Sequence, residues 1–163
     1  MCSGKSTLGS SLAKRLGYCF VDLDKVIEMY SQRTISEIFA QNGESEFRKI
    51  EQKVLFDVVK QAQTEEALHR GADANKRDPN GRGTIIACGG GTPCCQDNLA
   101  FMKAHGFVVY LEVSPEILCE RLLVTSPEAR PLLPHRDPAV LLHHICNLLA
   151  KRKPFYEAAH WKC

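Results

Sequence analysis

The chain has 163 residues, of which 44% are hydrophobic and 25% are charged. These values are ordinary for one globular domain and exclude a fibrous repeat or a fully disordered chain. The net charge of +2 favours neither nucleic acid nor an anionic membrane as a partner. No apolar run approaches the roughly 18 residues that span a bilayer, and residues 1–5 lack the apolar segment of a secretory signal. We therefore expect a cytoplasmic protein, and one that acts as a monomer.

The eight cysteines are numerous for this length but follow no metal-binding spacing. The sequence has no CxxC pair and no Cys/His zinc pattern, and no secretion signal favours disulfides. Four cysteines lie among apolar residues, where a free thiol behaves as a small hydrophobic side chain: Cys19, Cys88, Cys119 and Cys146. We predict reduced, structural cysteines and no cysteine-bound metal.

Hydrophobic periodicity in the first half of the chain predicts helices around one short strand. Leucines recur every fourth residue from Leu8 to Leu16, which is typical of a helix, and Gly17 is a typical helix stop. The apolar segment 18–22 predicts a buried strand. Further helices are predicted at about 24–30, 35–39 (closed by Gly43) and 44–63. The polar segment 64–83 predicts an exposed loop with one helical turn near 65–69.

The second half continues the alternation. Apolar segments predict strands at 84–88 and 107–111, with a helix at about 97–104 between them. Ser114 followed by Pro115 is typical of a helix start, here of a helix to about residue 123. Four prolines predict a loop over 126–138, and Asp137-Pro138 predicts the start of a last helix that reaches about residue 160. This alternation predicts an α/β fold, with a parallel sheet covered by helices on both faces.

The strongest chemical signal is the segment Gly4-Lys5-Ser6-Thr7, which matches the end of the phosphate-binding pattern GxxxxGK[ST]. In that pattern the lysine contacts the β- and γ-phosphates and the hydroxyl ligates Mg²⁺. Backbone N–H groups surround the phosphates, and here they would come from Cys2, Ser3, Gly4, Lys5, Ser6 and Thr7. An ordinary capped helix is the alternative, because the first glycine of the pattern and its preceding strand are absent.

Two acids lie at the end of the predicted strand 18–22: Asp22 is its last residue, and Asp24 follows two positions later. Ligands approach a parallel sheet at the carboxyl ends of its strands, so this position is typical of a binding site. The alternative is that these acids only cap the helix that follows.

Four further segments are weak separately and specific together: 43–51 (GESEFRKIE), 89–91 (GGG), 130–133 (RPLL) and 152–156 (RKPFY). With GKST and the two acids, this ordered set resembles the shikimate kinase family, a nucleoside-monophosphate-kinase-like P-loop group. The resemblance extends from residue 1 to about residue 159 and is interrupted at 64–83. It implies an ATP- and Mg²⁺-dependent kinase that phosphorylates the 3-hydroxyl of shikimate, in aromatic amino acid biosynthesis.

The resemblance also implies roles for individual residues. Asp24 would grip the attacking hydroxyl and accept its proton, and Asp22 would hold Mg²⁺ through water beside Ser6. Arg48 and Arg152 would bind the shikimate carboxylate, since a guanidinium pairs with it through two hydrogen bonds. The substrate would lie against bare backbone at Gly89, Gly90 and Gly91, with the amides of Gly90 and Gly91 as hydrogen-bond donors. Without the resemblance, Arg48 is a solvated helix charge and the glycines are a flexible turn.

Glu51 would hold Arg48 in place from one helical turn further along. Arg130 matches the arginine of the family's lid, which closes over ATP and the γ-phosphate. Arg121 would pack near the adenine, and a plain surface arginine is the alternative.

The family fold is a single three-layer α/β/α domain with a substrate-binding helical region, here about 25–62, and a lid loop, here about 124–137. Family members have a strand and a glycine before the position of Met1, and a strand, an adenine-contacting loop and a helix after that of Cys163. We therefore expect a chain that is cut at both ends and lacks the first and last strands.

Two other functions stay open. Another small P-loop kinase, such as gluconate kinase, would explain GKST but not Arg48 and Arg152 around the glycines. A catalytically dead substrate-binding fragment is the second, and shikimate binding without ATP turnover would identify it.

Overall fold

The computed structural model describes residues 2–70, 83–124 and 137–163, with the side chains of 68–70 left aside. These residues group into two compact units. The first unit is Lys5–Gly89, and the second unit combines Met1–Gly4 with Gly90–Cys163. Each unit contains helices and one pair of parallel strands, in agreement with the predicted α/β class. The predicted lid loop, including Arg130, lies outside the described residues apart from its two end positions.

The first unit contains two strands and three helices. In chain order they are α1 (Lys5–Leu16), β1 (Cys19–Asp22), α2 (Leu23–Ser31), α3 (Ile35–Arg70) and β2 (Thr84–Ala87). The strands β1 and β2 are parallel, with Cys19 opposite Thr84 and Asp22 opposite Ala87. Both strands therefore end at the same edge, which brings the segment after Ala87 beside the acids that follow β1.

Two glycines with positive φ interrupt the helices of the first unit at the positions where the sequence predicts helix ends. Gly17, with φ of 69°, follows the end of α1, and Gly43, with φ of 74° and ψ of −179°, kinks α3 into two helical parts. Residues with a side chain rarely adopt such a φ, so glycine is the natural occupant. Most of the buried apolar residues of this unit come from α2 and α3, among them Leu23, Ile27, Ile38, Val54 and Leu55.

The end of α3 differs from the prediction. Residues 64–70 continue α3, whereas the sequence predicted a loop from Thr64. The hydroxyl of Thr64 donates to the carbonyl oxygen of Lys60 at 2.9 Å, and Gln61 donates to Glu65 at 3.0 Å. Such i,i+4 contacts support a helix, and the stretch has no proline or glycine to end it. The stretch is polar because it forms the exposed end of a helix, and not because it forms a loop.

The second unit begins with a 3₁₀ turn at Thr92–Cys94. It continues through α4 (Asn98–His105), β3 (Val109–Tyr110), α5 (Pro115–Val124), α6 (Pro138–Glu157) and β4 (Trp161–Lys162). The strands β3 and β4 are parallel, and the buried core lies between α5 and α6: Leu118, Cys119, Leu122, Leu141 and Ile145. The carboxylate of Asp137 accepts hydrogen bonds from the N–H groups of Ala139 and Val140, which confirms the predicted start of α6.

The strand β4 corrects the expectation that the last strand lies beyond Cys163. Trp161 pairs with Val109 and Lys162 with Tyr110, so a final strand is present within the chain. Two residues are too few to produce the alternation of apolar and polar side chains that identifies a strand in a sequence.

Two of the four cysteines that lie among apolar residues in the sequence are exposed, although their surroundings predicted burial. Cys119 is buried, but Cys19 and Cys146 are exposed. None of the described helices is both long and apolar enough to cross a bilayer.

Candidate active site

A hydrogen bond joins the start of α1 to the end of β1. The hydroxyl of Ser6 donates to Oδ2 of Asp22 at 2.7 Å. Asp22 occupies the N-cap position of α2, yet its side chain makes no capping hydrogen bond. The alternative in which the side chain of Asp22 caps α2 is therefore wrong, because its carboxylate instead accepts a hydrogen bond from Ser6 in the first turn of α1.

The entry into α1 suits an anion. Gly4, with φ of 89°, immediately precedes the helix that begins at Lys5. The first turn of α1 contains no acidic residue, so nothing in that turn competes for the positive end of the helix dipole. Lys5 is half-buried and makes no hydrogen bond or ion pair with any residue that the structure describes. A helix start with an uncommitted lysine is the local arrangement that a phosphate requires.

Asp24, in the first turn of α2, is close enough to two other carboxylates to be affected by their charge. Although the residue is exposed overall, loss of hydration around its carboxyl group is the main cause that raises the pKa of Asp24. The carboxylates of Asp22 and Glu51 raise this pKa further, and the ammonium group of Lys5 opposes them. A carboxylate with a raised pKa is a stronger base, which is what proton transfer from an alcohol needs.

Arg48 is held by two carboxylates of its own helix. Its Nη1 lies 2.7 Å from Oε2 of Glu51, and its Nη2 lies 2.9 Å from Oε1 of Glu44. The side chains of Arg48 and Glu51 are only 18% and 1% exposed, so Arg48 is not the solvated helix charge of the alternative interpretation. The predicted i,i+3 pair between Arg48 and Glu51 is confirmed. A buried carboxylate depends on such a partner, because an uncompensated charge there is strongly destabilising.

Cys88 belongs to this neighbourhood, although the sequence marked it only as a small hydrophobic residue. It follows β2 directly, and burial raises the pKa of its thiol to about 12, with Glu51 and Asp24 adding to the rise. The thiol is therefore protonated at neutral pH and is not a nucleophile. Its position between a strand and three glycines was the available signal, since residues at strand ends face ligands.

In the second unit, the glycine turn is held by a network of hydrogen bonds. The carbonyl oxygen of Gly91 accepts from the N–H of Cys94 at 3.0 Å, and Nδ2 of Asn98 donates to the carbonyl oxygen of Thr92 at 2.9 Å. Thr92 and Asn98 are fully buried. Gly91 has an ordinary φ of −91°, so a left-handed conformation does not explain a glycine there.

Helix α6 brings Arg152 to the glycine turn. The hydroxyl of Tyr156, one helical turn after Arg152, donates to the carbonyl oxygen of Gly90 at 2.6 Å. Residues four apart share a helix face, so Arg152 lies on the face of α6 that meets the turn. The arginine is half-buried and makes no ion pair with the described part of the chain. Tyr156, Thr92 and Asn98 were not predicted as site residues.

Arg121, on α5, contacts the loop that precedes α1. Its Nη1 donates to the carbonyl oxygen of Cys2 at 3.0 Å and lies 4.0 Å from the position of a Cβ on Gly4. Arg121 is exposed, so both interpretations, a surface arginine and a contact near the adenine, remain predictions. Cys2 has φ of 29°, in the region that favours glycine.

The predicted site residues are divided between the two units. The first unit holds seven of them: Lys5, Ser6, Thr7, Asp22, Asp24, Arg48 and Gly89. The second unit holds Cys2, Ser3, Gly4, Gly90, Gly91, Arg121 and Arg152. A joint action of Arg48 and Arg152 remains a prediction.

A family model described as "Shikimate kinase" matches residues 1–68 and 69–163 of the chain. The chain belongs to the shikimate kinase family. This confirms the family that the sequence motifs resemble and an ATP-dependent kinase activity, and it favours shikimate kinase over the gluconate kinase alternative.

Individual relatives and solved structures agree with this assignment. A shikimate kinase of Parabacteroides distasonis is 40% identical over 159 residues, which is 98% of this chain and 80% of that protein. The crystal structure of shikimate kinase from Bacteroides thetaiotaomicron matches with a TM-score of 0.82 and 33% identity, over 99% of this chain and 80% of that one. Shikimate kinase from Acinetobacter baumannii, solved in complex with shikimate, matches with a TM-score of 0.76 and 31% identity, over 99% and 76%. The predicted P-loop kinase fold is thereby confirmed.

Proposed function

We propose that this member of the shikimate kinase family transfers the γ-phosphoryl group of ATP to the 3-hydroxyl of shikimate. The observation that carries the proposal within the site is the cluster at the end of β1. There the Ser6–Asp22 pair, the cation of Lys5 and the carboxylate of Asp24 belong to one compact unit. Phosphoryl transfer needs neutralised phosphates and an oriented acceptor alcohol, and this cluster contains groups for both tasks.

The nucleotide side uses the start of α1. The backbone N–H groups of residues 2–7 and the ammonium group of Lys5 bind the β- and γ-phosphates. The hydroxyl of Ser6 and the carboxylate of Asp22, 2.7 Å apart, are hard oxygen donors and fit Mg²⁺. Ser6 would ligate the ion directly and Asp22 through water. Bound Mg²⁺ supplies positive charge that neutralises the phosphates.

The acceptor side uses Asp24. Its carboxylate orients the 3-hydroxyl of shikimate and accepts the proton as the hydroxyl oxygen bonds to the γ-phosphorus. The bond from that phosphorus to the oxygen bridging to the β-phosphate breaks, and ADP leaves with the bonding electrons. The neighbours that raise the pKa of Asp24 make it a better proton acceptor.

Arg48 and Arg152 bind the carboxylate of the substrate. Arg48 is fixed by Glu51 and Glu44, and a pre-positioned guanidinium loses little freedom when it binds a ligand. Arg152 has no ion-pair partner among the described residues, which leaves its charge available for an anion. The structure of the Acinetobacter enzyme contains shikimate, which supports a small carboxylic acid as the acceptor substrate.

Several further assignments complete the proposal. Arg121 contacts the nucleotide near the adenine, and Arg130 acts from the lid at 124–137 on ATP and the γ-phosphate. The chain acts as one P-loop kinase domain, with a substrate-binding helical region at about 25–62. It acts as a cytoplasmic monomer without nucleic acid or membrane partners.

An assay of the purified full chain tests the function. ADP release is measured with ATP and Mg²⁺ in the presence of shikimate, of gluconate, or of no acceptor, and ³¹P NMR identifies the phosphorylated hydroxyl. We expect release only with shikimate and a phosphate at position 3. Turnover of gluconate alone would identify another P-loop kinase. Calorimetric binding of shikimate without any ADP release would identify a catalytically dead binding protein.

A further inference from the structure

Tyr156 lies outside every role assigned so far, yet its hydroxyl contacts the backbone of the glycine turn. We infer that Tyr156 is a positioning residue, which orients the Gly90–Gly91 peptide so that the N–H of Gly91 is presented as a donor to the acceptor substrate. The inference rests on the proposed function and adds to it a group that controls the affinity for shikimate.

The geometry of one peptide carries this inference. The hydroxyl of Tyr156 donates to the carbonyl oxygen of Gly90 at 2.6 Å. The peptide between Gly90 and Gly91 is trans, so its N–H points opposite to its carbonyl group. The N–H of Gly91 therefore points away from Tyr156. Gly91 is buried, and its N–H makes no hydrogen bond to another described residue.

Tyr156 is itself held in place. Its ring stacks on that of Tyr110, at the end of β3, with centroids 4.8 Å apart and an interplanar angle of 26°. Such an aromatic pair fixes the ring from which the hydroxyl projects. Arg152 lies one turn earlier on α6, so this helix carries both a cation for the substrate carboxylate and the hydroxyl that orients the turn.

A second donor approaches the carbonyl oxygen of Gly90 but is weaker than the hydroxyl of Tyr156. The thiol of Cys94 also approaches the carbonyl oxygen of Gly90, at 4.0 Å. A thiol is a weak donor, and that distance is the limit for sulfur. Loss of the tyrosine hydroxyl should therefore allow the peptide to rotate, and the N–H of Gly91 to move with it.

The test compares two variants that each lose one hydroxyl from the same stacked pair. Tyr156→Phe keeps the ring and removes the donor to Gly90. Tyr110→Phe is the matched control, because its hydroxyl makes no hydrogen bond to the described residues. We expect Tyr156→Phe to raise the KM for shikimate about threefold to tenfold, the effect of one neutral hydrogen bond. The KM for ATP should change less than about twofold, and Tyr110→Phe should match the wild type in both.

A second readout is independent of the acceptor. In ¹H–¹⁵N spectra of the full chain, Tyr156→Phe should shift the Gly91 amide signal and speed its hydrogen exchange, and Tyr110→Phe should do neither. Equal changes in both KM values, or an effect of Tyr110→Phe as large as that of Tyr156→Phe, would overturn the inference. If the wild type turns over no shikimate, the proposed function fails. The amide spectra then decide alone, and an unchanged Gly91 signal in Tyr156→Phe overturns the inference.

Discussion

Ser6 donates its hydroxyl proton to Asp22 across 2.7 Å, which ties the first turn of α1 to the carboxyl end of β1. The two residues are 16 positions apart in the chain, and neither local helix capping nor strand pairing requires their contact. The bond holds two oxygen atoms side by side where α1 begins. At the proposed Mg²⁺ site, two ligands that are already held together would lower the cost of ordering side chains when the ion binds.

Ser6→Ala removes one of these donors and releases the other. We expect the Mg²⁺ concentration for half-maximal activity to rise at least about tenfold, since metal ligands and their supporting groups typically have effects of that size. The measurement is initial rate against free Mg²⁺ at saturating ATP and shikimate. Ser10→Ala, an exposed serine of the same helix, is the control and should keep the wild-type dependence. An unchanged dependence in Ser6→Ala would remove Ser6 from the metal site.

Asp24→Asn keeps the shape of the side chain but cannot accept a proton. We expect kcat to fall about 10²–10⁴-fold, the usual contribution of a general base, with little change in the KM for ATP. Steady-state rates over both substrate concentrations measure this. Asp57→Asn, an exposed acid of α3, is the control. A decrease in kcat smaller than about tenfold would show that Asp24 is not the base.

The same variant should be more stable than the wild type at neutral pH. Burial and the carboxylate of Asp22 raise the pKa of Asp24 above its ordinary value of 3.8 in the folded protein. The folded state thus binds the proton more tightly than the unfolded chain, and this stabilisation, complete below pH 3.8, is lost as pH rises through the folded pKa. Asparagine carries no charge at any pH. Asp24→Asn should therefore melt at a higher temperature at pH 7, and the difference should shrink as the pH is lowered toward 4.

Most elements of the fold were predictable because their causes are local. Gly17 and Gly43 adopt positive φ where the pattern of the sequence ends a helix, and Asp137 caps α6 as its type and position suggest. The strand β4 was missed because its two residues are defined by backbone pairing to β3, which a sequence of that length does not encode. The extension of α3 to Arg70 was missed because polarity alone does not distinguish an exposed helix from a loop.

The charged residues of the candidate site were predictable from motifs, whereas its uncharged supports were not. Lys5 and Ser6 belong to a phosphate-binding pattern that has a physical reason. The hydroxyl of Tyr156 contacts Gly90 from 66 residues away, and Cys88 becomes part of the site only through the carboxylates around it. Such roles arise from tertiary contacts, which periodicity and spacing do not report.

Cys88 should be protected from alkylation although it lies beside a functional site. With a pKa of about 12 against an ordinary 9.0, its thiolate fraction at pH 8 is about a thousandfold below that of an ordinary thiol. Exposed thiols provide internal controls: Cys19, Cys146 and Cys163. Peptide mass spectrometry after a time course with iodoacetamide should find Cys88 modified at least about a hundredfold more slowly. Labelling of Cys88 at the rate of Cys163 would contradict the raised pKa of this half-buried thiol beside Asp24 and Glu51.

Arg48→Ala and Arg152→Ala should both weaken shikimate binding but differ in their effect on folding. Each loses a charge-assisted contact to a carboxylate, so we expect the KM for shikimate to rise about tenfold or more while the KM for ATP changes little. Only Arg48→Ala also removes a guanidinium from the buried Glu51, which should lower the free energy of unfolding by about 3–5 kcal/mol. Steady-state kinetics and urea unfolding measure the two effects, with the exposed Arg15→Ala as the control.

A double variant separates the two roles of Arg48. Glu51→Gln carries no charge, so Arg48→Ala combined with Glu51→Gln no longer buries a carboxylate without its guanidinium. We expect the double variant to recover most of the stability that Arg48→Ala loses and none of the affinity for shikimate, because the group that binds the substrate carboxylate is still missing. If the KM for shikimate returned to the wild-type value together with the stability, the effect of Arg48 on binding would be indirect. The assignment of Arg48 to the substrate carboxylate would then be wrong, and Arg48 would serve only to neutralise Glu51.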